Sequence, residues 1–435
     1  MVFNEKDLRT RAEFVLAGGA ATFSKHWGRY PEGIAPFGIV SGEGTHVTGT
    51  NGKTYIDTIG ALGPNLLGYQ YPDVTAAILY QVQQGTSFSM VHPLEIEVAE
   101  QICGYLPCAE MVRWARNGTD ATSMAVRLAR AITKKDDCLF VGYHGGAMDS
   151  YGSTTDKNDG ILKTVAAHNF QSSWSNIPAL IHTWEAHKNL ACIMVEVPAL
   201  EWDEPEETYI EGLRALQHLA RTTGALFVLD EIVTFLRYHL HGAQFLYGVT
   251  PDLCTVSKGI ANGLPLAALV GKRKYMEYLN RNSIFASWTF AGETTALAAC
   301  QATLRACKET DALATIQALG QQFGDGIQEQ LERSQLPATL HGNYARLAIK
   351  WQDLPAGIAT ATELRTLWLQ EQAKRGVLYG IGVVFPNGAW NQPLLEYLLE
   401  QSLEVCDLIA KAINSNTVKQ QLECPVITDV LSVRP

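Results

Sequence analysis

Short runs of apolar and β-branched residues recur through the middle of the chain: "CLFVGY" (138–143), "CIMVEV" (192–197), "ALFVLDE" (225–231), "DLCTVS" (252–257) and "LAALVG" (266–271). Longer amphipathic segments such as "TYIEGLRALQHLARTTG" separate several of them. That rhythm predicts an α/β domain with a mainly parallel sheet covered by helices on both faces. Ligands are then expected at the carboxyl ends of the strands. Residues 1–58 read as an N-terminal helix and a hairpin, whereas 309–435 mixes short strands with long helical patterns, "TIQALGQQFGDGIQEQLERSQ" and "PLLEYLLEQSLEVCDLIAKAI". The expected organisation is an N-terminal segment (1–58), a large central domain (59–308) and a C-terminal small domain (309–435), the outer parts together forming a smaller α+β domain.

Within the first segment, "TGTNGKTYID" (48–57) contains G-T-N-G-K-T, which looks like the phosphate loop of ATP-driven ligases. A phosphate loop must join a buried strand to a helix N-terminus. Here the preceding "SGEGTHV" is polar and glycine-rich, and Tyr55, Ile56 and Thr58 suit another strand. Asn51-Gly52 between two such runs signals a hairpin turn. The Walker spacing also fails, because its first glycine would fall on Val47.

Composition narrows the partners. A 435-residue chain with 47% hydrophobic content can bury large cores, and a net charge of −10 offers no basic surplus for nucleic acid. Nine scattered cysteines without a C-x-x-C pair read as reduced thiols, and no metal site is expected. "MVFNEKDLRTRAEF" lacks the apolar core of a signal peptide, and no apolar run reaches membrane-spanning length. Cytoplasmic residence without a membrane partner is the expectation.

Four places in the central domain can carry chemistry. In "RNGTDATSMAVRLARAI", Met124, Ala125, Leu128, Ala129 and Ile132 share one helical face, which puts Asn117-Gly118-Thr119 at the helix N-terminus. That is a phosphate site or an ordinary cap with Thr119 or Asp120 as the capping residue. Asp230 closes an apolar strand and needs a cation or strong donor, in a site or in the structure. Lys258 leaves a strand into a glycine-rich turn, where it can be a desolvated amine nucleophile or a surface lysine. Tyr143, at another strand end, can stack on a flat ring or fill the core. Taken together, a phosphate site, a stacking aromatic, a carboxylate for a pyridinium proton and a Schiff-base lysine are the parts that pyridoxal phosphate (PLP) requires.

The order "NGTDA", "YHG", "VEVP", "LDEIVTFLR", "SKGIANGLPLAAL" and "TFAGE" resembles that of the class III, fold-type I aminotransferases, most closely the glutamate-1-semialdehyde aminomutases and their aminotransferase-like relatives. The likeness runs from about Thr22 to the C-terminus, and the 48–57 hairpin matches a family hairpin. The resemblance implies that Lys258 forms the Schiff base with PLP and shuttles the proton, and that Asp230 holds the pyridine nitrogen protonated. It places Asn117, Gly118 and Thr119 at the phosphate, with Tyr143 and Ile232 on opposite ring faces. Thr289 would reach the phosphate of the neighbouring subunit, which implies a homodimer with shared sites. Glu196 matches a glutamate near the substrate side, although Val197 intervenes before Pro198.

Departures from the family pattern bear on the substrate. The aminomutases hold a carboxylate with S-P-V-R, where this chain has "TFSK" ending in Lys25. Lysine gives a point charge instead of a bidentate fork, with Arg29 and Arg237 as candidates to compensate. The family's G-N-P becomes Gly292-Glu293-Thr294, placing an acid at the expected substrate site, and Gly146 replaces a histidine. The loop "SYGSTTDKNDGI" resembles relatives that accompany carbohydrate pathways. The expected activity moves an amino group between a primary amine and a carbonyl compound, with pyridoxamine phosphate as the alternate cofactor form. Intramolecular aminomutase chemistry is the alternative, and a silent homologue or an ATP-dependent ligase the remote one.

Overall fold

A computed structural model of the chain describes residues 2–197, 206–281, 283–355 and 357–428. The chain divides into two compact units, one of Met1–Leu62, Leu67–Tyr71 and Ala314–Val430, the other of Gly63–Leu66, Pro72–Leu313 and Leu431–Pro435.

In the first unit, the segment read as a phosphate loop joins two antiparallel strands, His46–Gly49 and Thr54–Asp57, in register Val47 to Tyr55. Gly52 takes φ +79°, a conformation that favours glycine, and the Asn51 side chain accepts the Lys53 amide. No helix follows the motif, so the nucleotide reading fails on topology. Strand Ile39–Glu43 extends this sheet on one side and Val377–Leu378 on the other. A second sheet of Ala338–Asn343, Arg346–Trp351 and Val383–Val384 shares a core with the helices Ala361–Lys374 and Gln392–Asn414, built around Phe323, Leu347, Trp368, Leu398 and Ile409. The outer segments of the sequence thus form a smaller α+β domain.

The second unit is built on seven strands: β1 (Met111–Ala115), β2 (Asp137–Val141), β3 (Asn169–Ser172), β4 (Leu190–Glu196), β5 (Leu226–Asp230), β6 (Leu253–Val256) and β7 (Ala267–Gly271). Their order across the sheet is β1-β7-β6-β5-β4-β2-β3. The pairs from β6 through β3 are all parallel, and β7 runs antiparallel to both its neighbours. The physical reason lies in the link 257–266, shorter than the roughly dozen residues that a parallel crossover takes.

Helix Gly118–Thr133 lies on this sheet because its apolar residues repeat at helical spacing: Ala121, Met124, Ala125, Leu128 and Ala129 are all buried. Burying a side chain such as Leu128 contributes about 2 kcal/mol. The helix stops at Lys134, which adopts the left-handed cap conformation with φ +59°. Helix Glu206–Thr223, from the amphipathic segment read above, buries Leu213, Leu216, Leu219 and Ala220 in the same way.

Candidate active site

The carboxyl ends of adjacent strands gather the candidate residues. Asp230 ends β5, Glu196 ends β4 directly opposite it, and Thr255 of β6 pairs with Asp230 on the other side. Tyr143 lies two residues beyond β2, and Lys258 two beyond β6. The helix starting at Gly118 follows β1.

Asp230 is 3% exposed. One carboxylate oxygen accepts the Thr255 hydroxyl and the Ile232 amide, each at 3.1 Å, and the other lies 2.9 Å from His144 Nδ1. The remaining ring nitrogen of His144 is 3.1 Å from the Val141 carbonyl. These contacts lower the cost of a buried carboxylate and fix its orientation. His144 is the residue that the sequence reading missed. It stands beside Tyr143 in "YHGG", but its partner Asp230 is far away along the chain.

The neighbouring acid has a different assignment. Glu231 accepts the Ala243 and Gln244 amides, the Gln244 side chain and the Thr234 hydroxyl, all within the fold. Burial pushes its carboxyl up, against these lowering hydrogen bonds.

At the helix start the capping residue is Asn117, ahead of both expected candidates, and Asp120 accepts the Asn117 amide at 2.8 Å. Gly118 packs closely on Ile232: a Cβ there would come within 2.7 Å of Ile232 Cδ1, so a larger residue would displace the end of that side chain. Thr119 faces Gly145, where φ is +96° and a Cβ would sit 2.5 Å from the Thr119 hydroxyl oxygen. The Thr122 hydroxyl donates to the His144 carbonyl at 3.1 Å. The helix N-terminus, the Tyr143 loop and Asp230 are therefore one connected cluster.

Tyr143 does not fill the core, being 47% exposed, and its hydroxyl accepts the Gly146 amide at 3.2 Å. Burial of part of the ring and the nearby Glu196 and Asp230 raise its phenol, opposed by that amide. Lys258 is half-buried and holds φ +48°, a left-handed conformation unusual for a side-chain-bearing residue. Ser257 before it anchors the turn by donating to the Leu266 carbonyl at 2.8 Å.

Thr289 is exposed in the turn before helix Thr294–Glu309. Glu293 caps that helix: its oxygens accept the Thr295 and Ala296 amides and lie 3.5 Å from Arg116. Both oxygens thus have structural partners in the fold itself. Pro198 lies outside the described residues.

In the first unit, Lys25 lines a cavity of about 270 Å³ with Tyr30, Phe37, Asp57, Leu62 and Tyr69. Asp57 accepts the Tyr69 hydroxyl at 2.6 Å and the Ile59 amide at 2.8 Å, and burial pushes its carboxyl up. Arg29 donates to the Thr428 carbonyl, and the buried Arg237 donates to the Gly63 carbonyl.

The second unit's cluster fits pyridoxal phosphate in its donor set. It offers a helix N-terminus kept clear by glycines, a buried and oriented carboxylate, an exposed aromatic face and a lysine at a strand end.

Comparison with known proteins agrees. The family model described as aminotransferase class-III matches residues 30–357. The FumI protein of Sphingopyxis sp. MTA144, solved with PLP, is 27% identical with a TM-score of 0.85, covering 94% of this chain and 97% of that one. An omega-transaminase from Sphaerobacter thermophilus (22%, TM-score 0.82, 94% and 98% covered) shares the fold. So does a glutamate-1-semialdehyde aminomutase from Pseudomonas aeruginosa in complex with PMP (20%, TM-score 0.79, 92% and 93% covered). The chain belongs to the class-III aminotransferases and is a PLP-dependent enzyme.

Proposed function

We propose that the enzyme transfers an amino group between separate amine and carbonyl substrates, with Lys258 as the amine that attaches to the cofactor. Bound PLP supplies an electrophilic carbonyl and a ring that withdraws electrons from the reacting carbon. Lys258 Nζ moves the proton at that carbon, and Asp230 stabilises positive charge at the ring nitrogen. Asn117, Gly118 and Thr119 hold the phosphate, and Tyr143 and Ile232 flank the ring.

The observation that favours transamination over aminomutase chemistry is Lys25 at the position where the aminomutases carry an arginine, with Arg29 and Arg237 both donating to backbone carbonyls. An aminomutase must grip one substrate's non-reacting end through both half-reactions, a task suited to a guanidinium fork. A single ammonium donor holds a ligand oxygen less firmly than a fork does, which suits substrates that are released between half-reactions.

A single-turnover assay tests this. Enzyme in the pyridoxamine form is offered keto acids, keto sugars and glutamate semialdehyde, and the aminated products are identified. The expected result is dependence of sustained turnover on a separate amine donor. Conversion of glutamate semialdehyde to 5-aminolevulinate with no added donor reverses the assignment.

The working form is a homodimer in which Thr289 completes the partner's phosphate site. The exposed Phe285, Phe290, Met90, Val91 and Leu79 of the second unit support an apolar interface. Lys258→Ala subunits mixed with Thr289→Ala subunits form hybrids with one site carrying both native residues. Activity should return on mixing. Proven subunit exchange without recovery means that each site is built within one chain. Nine free cysteines fit a cytoplasmic enzyme, and among the described residues no helix is long and apolar enough to cross a membrane.

A further inference from the structure

We infer that Glu196 is a positioning residue: its carboxylate, through the Tyr143 backbone, sets where the Tyr143 ring lies against the cofactor. The inference rests on Tyr143 flanking the PLP ring, and it assigns Glu196 a task other than substrate contact.

The ladder between β2 and β4 ends at the pair Val141 and Val195. One residue on, Gly142 turns with φ +95°, and a Cβ there would stand 2.7 Å from Glu196 Cβ. Glu196 Oε2 then accepts the Tyr143 amide at 2.9 Å. The carboxylate thus takes the place of the next ladder carbonyl, just where the chain leaves the sheet. A hydrogen bond to an ionised acceptor is shorter and roughly twice as strong as a neutral one.

The remainder of the loop is held from other directions. The Tyr143 hydroxyl accepts the Gly146 amide, and its ring meets Tyr151 edge-on with centroids 5.5 Å apart. His144 faces Asp230 and accepts the Thr122 hydroxyl through its carbonyl. Those contacts fix the ring's far edge and the following residue. Glu196 fixes the point from which the ring departs. Losing the bond to the Tyr143 amide loosens the point from which the ring departs, while the Gln171 side chain still donates to the Gly142 carbonyl at 3.3 Å and the sheet ladder stays intact, so the effect falls on the ring's placement instead of on folding.

The test uses full-length holoenzyme carrying Glu196→Ala, Glu196→Asp, Glu196→Gln or Tyr143→Ala, with PLP affinity from equilibrium dialysis, visible circular dichroism of the bound cofactor and melting temperature. Glutamine keeps an acceptor oxygen at the same reach. Aspartate keeps the charge but falls one methylene short. Alanine and aspartate should weaken PLP binding about five- to twentyfold and diminish the dichroic band, while glutamine stays within about threefold of wild type. The losses from Glu196→Ala and Tyr143→Ala should not add in the double variant, because both act through one ring.

Wild-type affinity and dichroism in Glu196→Ala, with Tyr143→Ala impaired, overturns the positioning role. So does a glutamine variant as weak as alanine, or a KM increase for one substrate with PLP binding unchanged, which marks a substrate contact. If Tyr143→Ala itself leaves affinity and dichroism unchanged, the ring-stacking role fails first and takes the inference with it. Should the alanine variant not fold, the contrast between aspartate and glutamine decides the question alone.

Discussion

Replacing Lys258 with alanine is expected to lower turnover by at least about 10⁴-fold while PLP still binds, because in the proposed function the substitution removes both the attaching amine and the base that moves the proton. The fold should tolerate the change. Lys258 already holds φ +48°, and alanine, which also carries a Cβ, meets the same backbone cost. Its half-buried side chain is not a core element. In the proposed function the phosphate and ring contacts belong to the Gly118 helix, the Tyr143 loop and Asp230, whose own residues the substitution leaves unchanged. Borohydride reduction of wild-type holoenzyme followed by peptide mapping should find the cofactor fixed to Lys258, and the alanine variant should carry no covalent label. A label on another residue, absence of PLP from the purified protein, or turnover within tenfold of wild type in the variant would overthrow the assignment.

The strands that carry Tyr143, Glu196, Asp230 and Lys258 were legible because they are central. With both faces covered, β2, β4, β5, β6 and β7 read as nearly continuous apolar runs. The edge strands lack that signal: β1 bears the exposed Arg113, and β3, "NFQS", exposes Phe170 and leaves both residues after it half-buried. The antiparallel direction of β7 was not legible for another reason, since an apolar run records burial and says nothing of direction. At the site, residue types and their order indicated the chemistry, whereas contacts across the sheet were invisible. Nothing local announces that His144 faces Asp230, or that Glu196 accepts the Tyr143 amide; both follow from strand register. Glu293 shows the opposite difficulty. Read against a family motif it is an acid beside the site, yet its position just before "TTALAAC" is also that of a helix cap, the role its oxygens have in the structure.

Changing Asp230 to asparagine should remove most activity and leave the fold in place. Asparagine matches the carboxylate in shape, so its amide oxygen can continue to accept the Thr255 hydroxyl and the Ile232 amide. The amide nitrogen would then face His144 Nδ1. The imidazole accommodates this by carrying its proton on Nε2, toward the Val141 carbonyl 3.1 Å away, and accepting at Nδ1. No buried group need lose its partner, and the melting temperature should stay within about 3 °C of wild type. What disappears is the negative charge. A buried carboxylate can stabilise a protonated pyridine nitrogen, and a neutral amide cannot, so electron withdrawal from the reacting carbon weakens. Preorganised electrostatic contacts of this kind are typically worth about 10²- to 10³-fold in rate, and a loss of that size is the expected result. The bound cofactor's absorbance should shift while its affinity, which the proposed function assigns largely to phosphate and ring contacts, falls much less than turnover. Asp230→Glu, which restores charge at the wrong reach, should recover little. Wild-type turnover in Asp230→Asn would show that Asp230 serves the structure alone, and a collapse of melting temperature together with activity would show that the His144 contact, not the charge, is its main contribution.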